Sequence, residues 1–382
     1  MWTGGPLPDR HRHLPMSRDG LYQIKQVLTA RAAAGNVPIS GAFELTPRCN
    51  FACKMCYVRL TPEQMAPIGR ERTAEQWLQL GRQAREAGLV FLLLTGGEPF
   101  LRPDFEEIYR GLTELGLSIS INTNGSLLNQ RLHSLFRQLP PAMVNVTLYG
   151  ASEEDYRTLC GCGGGFEAAL SALDFFLELG VTVNLNTTLT PWNLQRYDAI
   201  RAIGADRGLR TRAAIYNFPP VRREDCPDYS RFSAEQAGEL LARDVLRNGG
   251  ADRVRQLAAR LGTKDEVPMA CSMEPGDPMA CYAGRSQFWI TWDGRMLPCG
   301  MLNEPQARPF EDGFPTAWRQ IVERTAAISL CPDCKSCPIK GTCTNCAAVT
   351  STETGSFSGR PDYMCRVNQS YRDWLRRLAE TE

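Results

Sequence analysis

Between residues 40 and 216 the chain alternates six times between strand-like and helix-like stretches, and this alternation restricts its fold more than any other feature. The strand candidates are 40–46, 90–95, 117–122, 143–149, 181–188 and 211–216. Apolar residues at helical spacing fall between them, at 74–87, 104–115, 127–138, 166–179 and 193–206. The stretch Val90-Phe-Leu-Leu-Leu-Thr95 is apolar on both faces, as a buried parallel strand is. Consecutive β/α units predict an α/β fold, a partial (β/α)6 barrel of the TIM type over residues 39–216, rather than two domains. Chemistry in such folds gathers at the C-terminal ends of the strands.

The remaining stretches read differently. Residues 1–38 are a polar lead-in followed by an amphipathic helix at 21–33, marked by Leu21, Ile24, Val27 and Leu28. Residues 217–270 bridge to the last domain, with a loop from Asn217 past Cys226 and a helical pattern near 233–261. Residues 271–372, rich in Cys, Pro and Gly with short strands such as 286–292, predict a small α+β domain. So small a region buries little apolar core and needs metal staples. Residues 373–382 read as a C-terminal tail. The 43 basic and 42 acidic side chains nearly cancel, so no bulk charge attracts nucleic acid or a membrane surface. With no spanning apolar run and no signal-peptide pattern, a cytoplasmic location is expected. The three histidines, His11, His13 and His133, supply histidine-based mechanisms poorly. Fifteen cysteines in a chain without an export signal read as metal ligands before disulfides.

The first strand runs into Pro47-Arg48-Cys49-Asn50-Phe51-Ala52-Cys53-Lys54-Met55-Cys56-Tyr57. Three thiolates spaced C-x3-C-x2-C suit three irons of a cubane and leave a fourth iron open, and an open metal position marks a reactive site. A zinc knuckle is the alternative, although no further His or Cys follows closely. The second strand ends in Thr95-Gly96-Gly97-Glu98-Pro99. Paired glycines let backbone polar groups approach a ligand, and a carboxylate beside them can accept from an ammonium group. A simple tight turn would read the same way.

These motifs, in this order on these elements, resemble the radical S-adenosylmethionine (SAM) superfamily. The resemblance implies that Cys49, Cys53 and Cys56 hold a [4Fe–4S] cluster whose open iron is chelated by SAM. Reduction then releases a 5′-deoxyadenosyl radical. It further implies Met55 near the adenine and Gly96, Gly97, Glu98 and Pro99 at SAM's amino group. Asn122 and Asn124 match the ribose position, Thr147 a hydrogen bond to SAM, and Arg157 a partner of its carboxylate. Asn186 and Asn193 are expected as polar wall residues.

Nine more cysteines follow residue 270, and two fully ligated cubanes take eight, as would two zinc ribbons. Their order resembles the SPASM domain of many radical SAM enzymes: Cys281, then Gly294 to Cys299, then Cys334-x2-Cys337-x5-Cys343-x2-Cys346, then Cys365. The gap before Cys346 is two residues, where the family has three. The resemblance implies Cys271, Cys281, Cys299 and Cys346 for one auxiliary cluster and Cys334, Cys337, Cys343 and Cys365 for a second, with Cys331 unassigned. Iron–sulfur centres relay electrons and zinc does not.

SPASM enzymes act mostly on peptides or proteins, so the expected activity is radical modification of a peptide, giving a crosslink or an oxidised residue as in ribosomal peptide maturation. A small cofactor precursor such as a tetrapyrrole is the alternative substrate, and a non-catalytic metal scaffold the alternative role. A sulfatase maturase fits less well, because Gly300 and Met301 follow Cys299 where that group has an aspartate. The expected partners are the substrate, a flavodoxin or ferredoxin as electron donor, and a separate leader-peptide-binding protein. Cys160-Gly-Cys162-Gly-Gly-Gly165 follows the fourth strand. Thiols of Cys160 and Cys162 at the barrel mouth would donate a hydrogen atom or bind a metal, unless the stretch is a flexible loop with incidental cysteines. Arg222 and Arg223 read as a solvated pair or as partners of an acidic peptide.

Overall fold

Each β/α unit needs a helix to carry the chain back before the next parallel strand, and the alternation therefore closes on one curved sheet. A computed structural model describes residues 18–223, 226, 229–263 and 281–382. Its parallel strands are β1 Ser40–Glu44, β2 Phe91–Thr95, β3 Ser118–Thr123, β4 Met143–Thr147, β5 Thr182–Thr188 and β6 Thr211–Ala214. Two more, β7 Gln287–Ile290 and β8 Met296–Leu297, extend the other edge, giving the order β6-β5-β4-β3-β2-β1-β7-β8. β7 runs parallel to β1, with Ile290 opposite Phe43, and β8 returns antiparallel. The strand expected inside a separate C-terminal domain is thus part of the barrel sheet. The fold is an open, partial α/β barrel followed by a smaller C-terminal region.

The helices are α1 Arg18–Ala34, α2 Pro62–Met65, α3 Ala74–Glu86, α4 Phe105–Glu114, α5 Gln130–Gln138, α6 Glu153–Cys160, α7 Gly165–Glu178 and α8 Tyr197–Ala205. Beyond the barrel come α9 Ala234–Arg260, α10 Pro309–Asp312, α11 Phe314–Ala326, α12 Ala347–Thr354 and α13 Asp362–Thr381. Their starts follow local chemistry. A capping box pairs Thr73 with Gln76 before α3, and the side chains of Asn129 and Ser152 cap α5 and α6.

Strand alternation separates two faces. Phe43, Leu94, Ile121, Val144 and Leu185 point to the helices and are fully buried with Trp77, Ile108, Phe136 and Leu173. Each such side chain contributes roughly 1.5–3 kcal/mol. Their neighbours in the strands, among them Asn122, Asn145 and Asn184, face the concave side.

Residues 373–382 are not a tail. They are the last turns of α13, which buries Tyr371, Leu375 and Leu378 against Ala242 and Val254 of α9. Apolar residues at helical spacing continue through Leu378, and that signal outweighs the polar residues between them. Among the described residues, no helix is long and apolar enough to cross a membrane.

Candidate functional site

The cysteine loop lies across the C-terminal ends of β1 and β2 because the paired glycines allow it. Gly97 N donates to Thr46 O at 2.7 Å and Glu98 N to Arg48 O at 2.9 Å. A side chain on Gly96 would collide with the Thr46 carbonyl, and one on Gly97 with that of Arg48. The glycines therefore seat the loop itself.

Glu98, expected as an acceptor for a ligand's ammonium group, is held by the protein's own donors. Its carboxylate is fully buried and turned inward. Oε1 accepts from Phe100 N at 3.1 Å, Oε2 from Asn124 N at 2.7 Å, and the Thr123 hydroxyl donates to both oxygens at 2.9 and 3.0 Å. These bonds occupy the carboxylate's acceptor sites and tie the β2 turn to the end of β3. Burial pushes its pKa up to about 7. Pro99, also buried, opens the short 3-10 turn that follows.

Asn124 meets the cysteine loop directly. Its Nδ2 lies 3.7 Å from Cys49 Sγ and donates to Asn50 Oδ1 at 3.0 Å. Phe51 N also donates to Cys49 Sγ at 3.4 Å, and Arg59 N to Cys56 Sγ at 3.3 Å. The Tyr149 hydroxyl and the Cys160 thiol reach Cys53. Burial pushes Cys49 up to about 12 and raises Cys56, while the contact with Cys160 and then burial raise Cys53. The metal-free thiols are accordingly protonated at neutral pH, and metal binding would release those protons. Three sulfurs on one short loop, each facing a polar hydrogen, have the chemistry that an iron–sulfur cubane requires of its donors. Among the described residues, no three or more His, Cys, Asp or Glu side chains close around a position for a single metal ion.

The other expected contacts are spread more widely. Met55 is half-buried in the loop and packs on the barrel core. Thr147 is half-buried at the end of β4, in register with Asn186, which pairs onward with Arg212. Arg157 is not brought to the loop by any contact. It stands on the exposed side of α6 and pairs with Glu154 at 3.2 Å, as residues three apart on a helix do. Asn193 is not a wall residue either. It is 2 % exposed and braces the turn after β5, donating to Tyr149 O and Thr188 O at 3.0 Å and accepting from Thr190 N at 2.8 Å.

Cys160 is fully buried, not open at the mouth. Cys162 is half-buried, and its thiol faces Gly163 O at 3.4 Å. The glycines here have specific work. Gly161 ends α6 in the left-handed region (φ 63°), and a side chain on Gly165 would strike the Phe51 and Tyr156 rings. The missed helix α6 is short, and its polar first turn hides the pattern of Tyr156, Leu159 and Cys160.

Two features escaped sequence reasoning. On the concave wall, Asn184 Nδ2 donates to Asn145 Oδ1 at 2.8 Å and Asn145 Nδ2 to Asn122 Oδ1 at 2.7 Å. Polar alternation along β3 to β5 was the available signal. The second feature lies beside the loop. Arg222 pairs with Glu44 at 3.4 Å with side chains 2 % and 1 % exposed, and Trp289 Nε1 donates to Glu44 Oε2 at 2.9 Å. Arg222 also donates to Gly300 O at 2.6 Å, while Arg223 donates to Cys56 O at 3.0 Å. The expected solvated pair thus ties the first cysteine loop to the loop after Cys299. A sequence of separate segments carries no signal for such a contact.

The C-terminal cysteines fall into two neighbourhoods. Cys281 and Cys299 flank a small apolar cluster of Ala283, Ile328, Leu330 and Ala347, and Cys299 interacts with Cys346. Cys271 lies outside the described residues. Cys334, Cys337, Cys343 and Cys365 form the second group, which also includes the buried Cys331, beside Cys334. Cys343 interacts with Cys346 as well, so the two groups adjoin. Burial pushes Cys334 up to about 12 and Cys343 to about 11.

A sequence model of the radical SAM superfamily matches residues 43–202, which span the cysteine loop and β1 to β5. A probable GTP 3′,8-cyclase of Archaeoglobus fulgidus is 33 % identical over 71 % of this chain and 88 % of its own length. An AdoMet-dependent heme synthase of Methanosarcina barkeri is 24 % identical over 87 % of this chain and 97 % of its own. A PqqA peptide cyclase of Rhizobium meliloti is 28 % identical over 72 % and 71 %. In fold, the chain resembles the crystal structure of Streptococcus suis SuiB, with a TM-score of 0.64 and 16 % identity over 92 % of this chain and 83 % of that one. This chain is therefore a member of the radical SAM superfamily.

Proposed function

We propose that the chain modifies a peptide or protein by radical chemistry, forming a crosslink or an oxidised residue, with Cys49, Cys53 and Cys56 as the ligands of its SAM-binding [4Fe–4S] cluster. When bound, the cluster and SAM supply a 5′-deoxyadenosyl radical that takes a hydrogen atom from the substrate. The chain's own residues hold and shape this site. Gly96 and Gly97 seat the cysteine loop, Asn124 fixes Cys49, and Met55, Asn122, Thr147 and Asn186 line the space toward SAM.

The asparagine ladder carries the substrate reading. Asn122, Asn145 and Asn184 present neutral donors and acceptors along the concave wall. Such a wall matches peptide amides, which are neutral and offer one donor and one acceptor each. The PqqA peptide cyclase likeness supports the same reading. The two C-terminal cysteine groups suit auxiliary clusters that accept the electron lost when a substrate radical becomes a closed-shell product. Cys281, Cys299 and Cys346, with Cys271, would hold the nearer one, and Cys334, Cys337, Cys343 and Cys365 the other. A flavodoxin or ferredoxin in the cytoplasm would supply the reducing electron, and a separate protein would present a substrate leader.

One observation favours a second reading. The heme synthase of Methanosarcina barkeri matches over nearly its whole length, so a tetrapyrrole is the rival substrate. Anaerobic incubation of reconstituted protein with SAM and dithionite tests the class by 5′-deoxyadenosine formation. Mass spectrometry then separates the substrates. A short peptide encoded beside the gene should lose two hydrogens. An unchanged peptide together with turnover of a carboxylate-bearing tetrapyrrole would move the assignment to the second reading.

A further inference from the structure

The chain leaves β6 at one edge of the sheet and a few residues later meets the loops beyond β1 and β7, toward the other edge. There Arg223 Nη1 donates to Cys56 O at 3.0 Å, and Arg222 Nη1 to Gly300 O at 2.6 Å, next to Cys299. Val221 O accepts from Asn303 Nδ2. Three consecutive residues thus grip both a proposed iron ligand of the first loop and the stretch after Cys299. Met301 N in turn donates to Cys299 Sγ at 3.5 Å. Gly300 packs against the Trp289 ring, where a side chain would collide.

Glu44, at the end of β1, holds Arg222 from behind. Their side chains are 1 % and 2 % exposed, Nε lies 3.4 Å from Oε2, and Trp289 Nε1 donates to that same oxygen at 2.9 Å. Glu44 Oε1 and Arg222 Nη2 make no hydrogen bond among the described residues. A buried pair with unmet groups stabilises a fold poorly, and apolar side chains of like volume often serve better. What such a pair supplies is a fixed register between the elements that it joins. Here it joins β1, which runs into the first cysteine loop, to the loop after Cys299. The proposed chemistry needs that register, because misplacing reacting groups by about 1 Å can slow a reaction about a hundredfold.

We propose that Arg222 is a positioning residue which, with Arg223, fixes the spacing between the two cysteine loops, so that a substrate radical formed beside the first is oxidised beside the second. In that step the substrate radical gives one electron to the iron–sulfur centre that includes Cys299, which is reduced, and one proton leaves to solvent. With the hydrogen atom taken earlier, the peptide has then lost two hydrogens. This inference rests on the reading that both loops carry iron–sulfur clusters in a peptide-modifying enzyme. It accounts for the buried pair, the adjacent arginines and the glycine after Cys299.

The double variant Glu44→Gln/Arg222→Met tests it, since it removes both charges and leaves neither buried alone. In the full-length reconstituted protein, hydrogen exchange should quicken at least about tenfold at residues 57–60 and 300–303 and stay unchanged in β2 to β4. With SAM, dithionite and the peptide encoded beside the gene, product formed per 5′-deoxyadenosine should fall at least about tenfold at unchanged iron content. Arg222→Lys keeps the charge but lacks the fork that spans Glu44 and Gly300, and it should lower the same ratio. Unchanged exchange at both loops would overturn the proposal, as would equal quickening across the sheet. An unchanged product ratio in the double variant, or a full ratio in the lysine variant, would overturn it as well. A wild-type protein that leaves the peptide unmodified would instead remove the functional reading beneath it, while the exchange result still decides whether the arginines join the loops.

Discussion

The barrel and the loop bearing residues 328–347 hold their shapes in different ways. The barrel buries Phe43, Leu94, Ile121, Val144 and Leu185 on one continuous face. The cysteine-rich loop rests on Ala283, Ile328, Leu330 and Ala347, two of them alanines. Ordering a residue's backbone costs about 1–2 kcal/mol, and four side chains, two of them small, do not offset that over such a stretch. The neighbouring helix α11 does not share the weakness, because Phe314, Trp318 and Ile321 bury into the barrel core. A single chain thus uses apolar burial where its elements are long and paired, and under the proposed function would rely on thiol ligands where they are short. In the barrel a metal would serve chemistry, and in the loop it would also serve folding.

Substitutions that remove thiols should separate these two uses most strongly. Cys53→Ala should abolish 5′-deoxyadenosine formation to background while circular dichroism stays that of a folded barrel. Cys299→Ala should retain SAM cleavage and lose substrate product. Equal loss of both activities in both variants would break the division. Next in size is metal removal. Hydrogen exchange of chelated protein should quicken at least about tenfold across residues 331–346 and stay unchanged in β2 to β4. Uniform quickening would mean that the barrel also depends on metal for its fold.

Core truncations sharpen the contrast. Phe43→Ala should cost about 3–5 kcal/mol in denaturant unfolding, and Leu330→Ala about 2 kcal/mol. A reversed order would place the stronger core in the loop. A further test concerns pH. Glu98 titrates near 7 when folded, above its unfolded value of 4.5, so the folded state takes up the proton first. Its stabilising contribution is present below pH 4.5 and lost as pH rises through about 7, at most about 3 kcal/mol. Glu98→Gln should flatten that slope in stability measured from pH 4.5 to 8, and an unchanged slope would assign it to other groups.

Periodicity and spacing carried most of the barrel and the first loop. Of the first six strands, five lie within their expected stretches and β3 runs one residue past its own, because buried strands and amphipathic helices leave repeats of two and 3.6 in the order of residues. The cysteine trio and the glycine pair were legible because each sits within a few consecutive residues. Roles that depend on orientation were not. Glu98 turned inward, Arg157 outward, and Cys160 beneath the loop, since a side chain's direction depends on neighbours from other strands. What the order of residues determined alone is the set of local elements and the chemical groups they carry, both consequences of short-range geometry. What tertiary structure alone decided is β7 joining β1, Arg222 reaching Glu44 and the end of α6 bonding to Ala52 of the cysteine loop. Those meetings join residues more than a hundred positions apart, where only the packing of the whole sheet brings two groups within hydrogen-bond range.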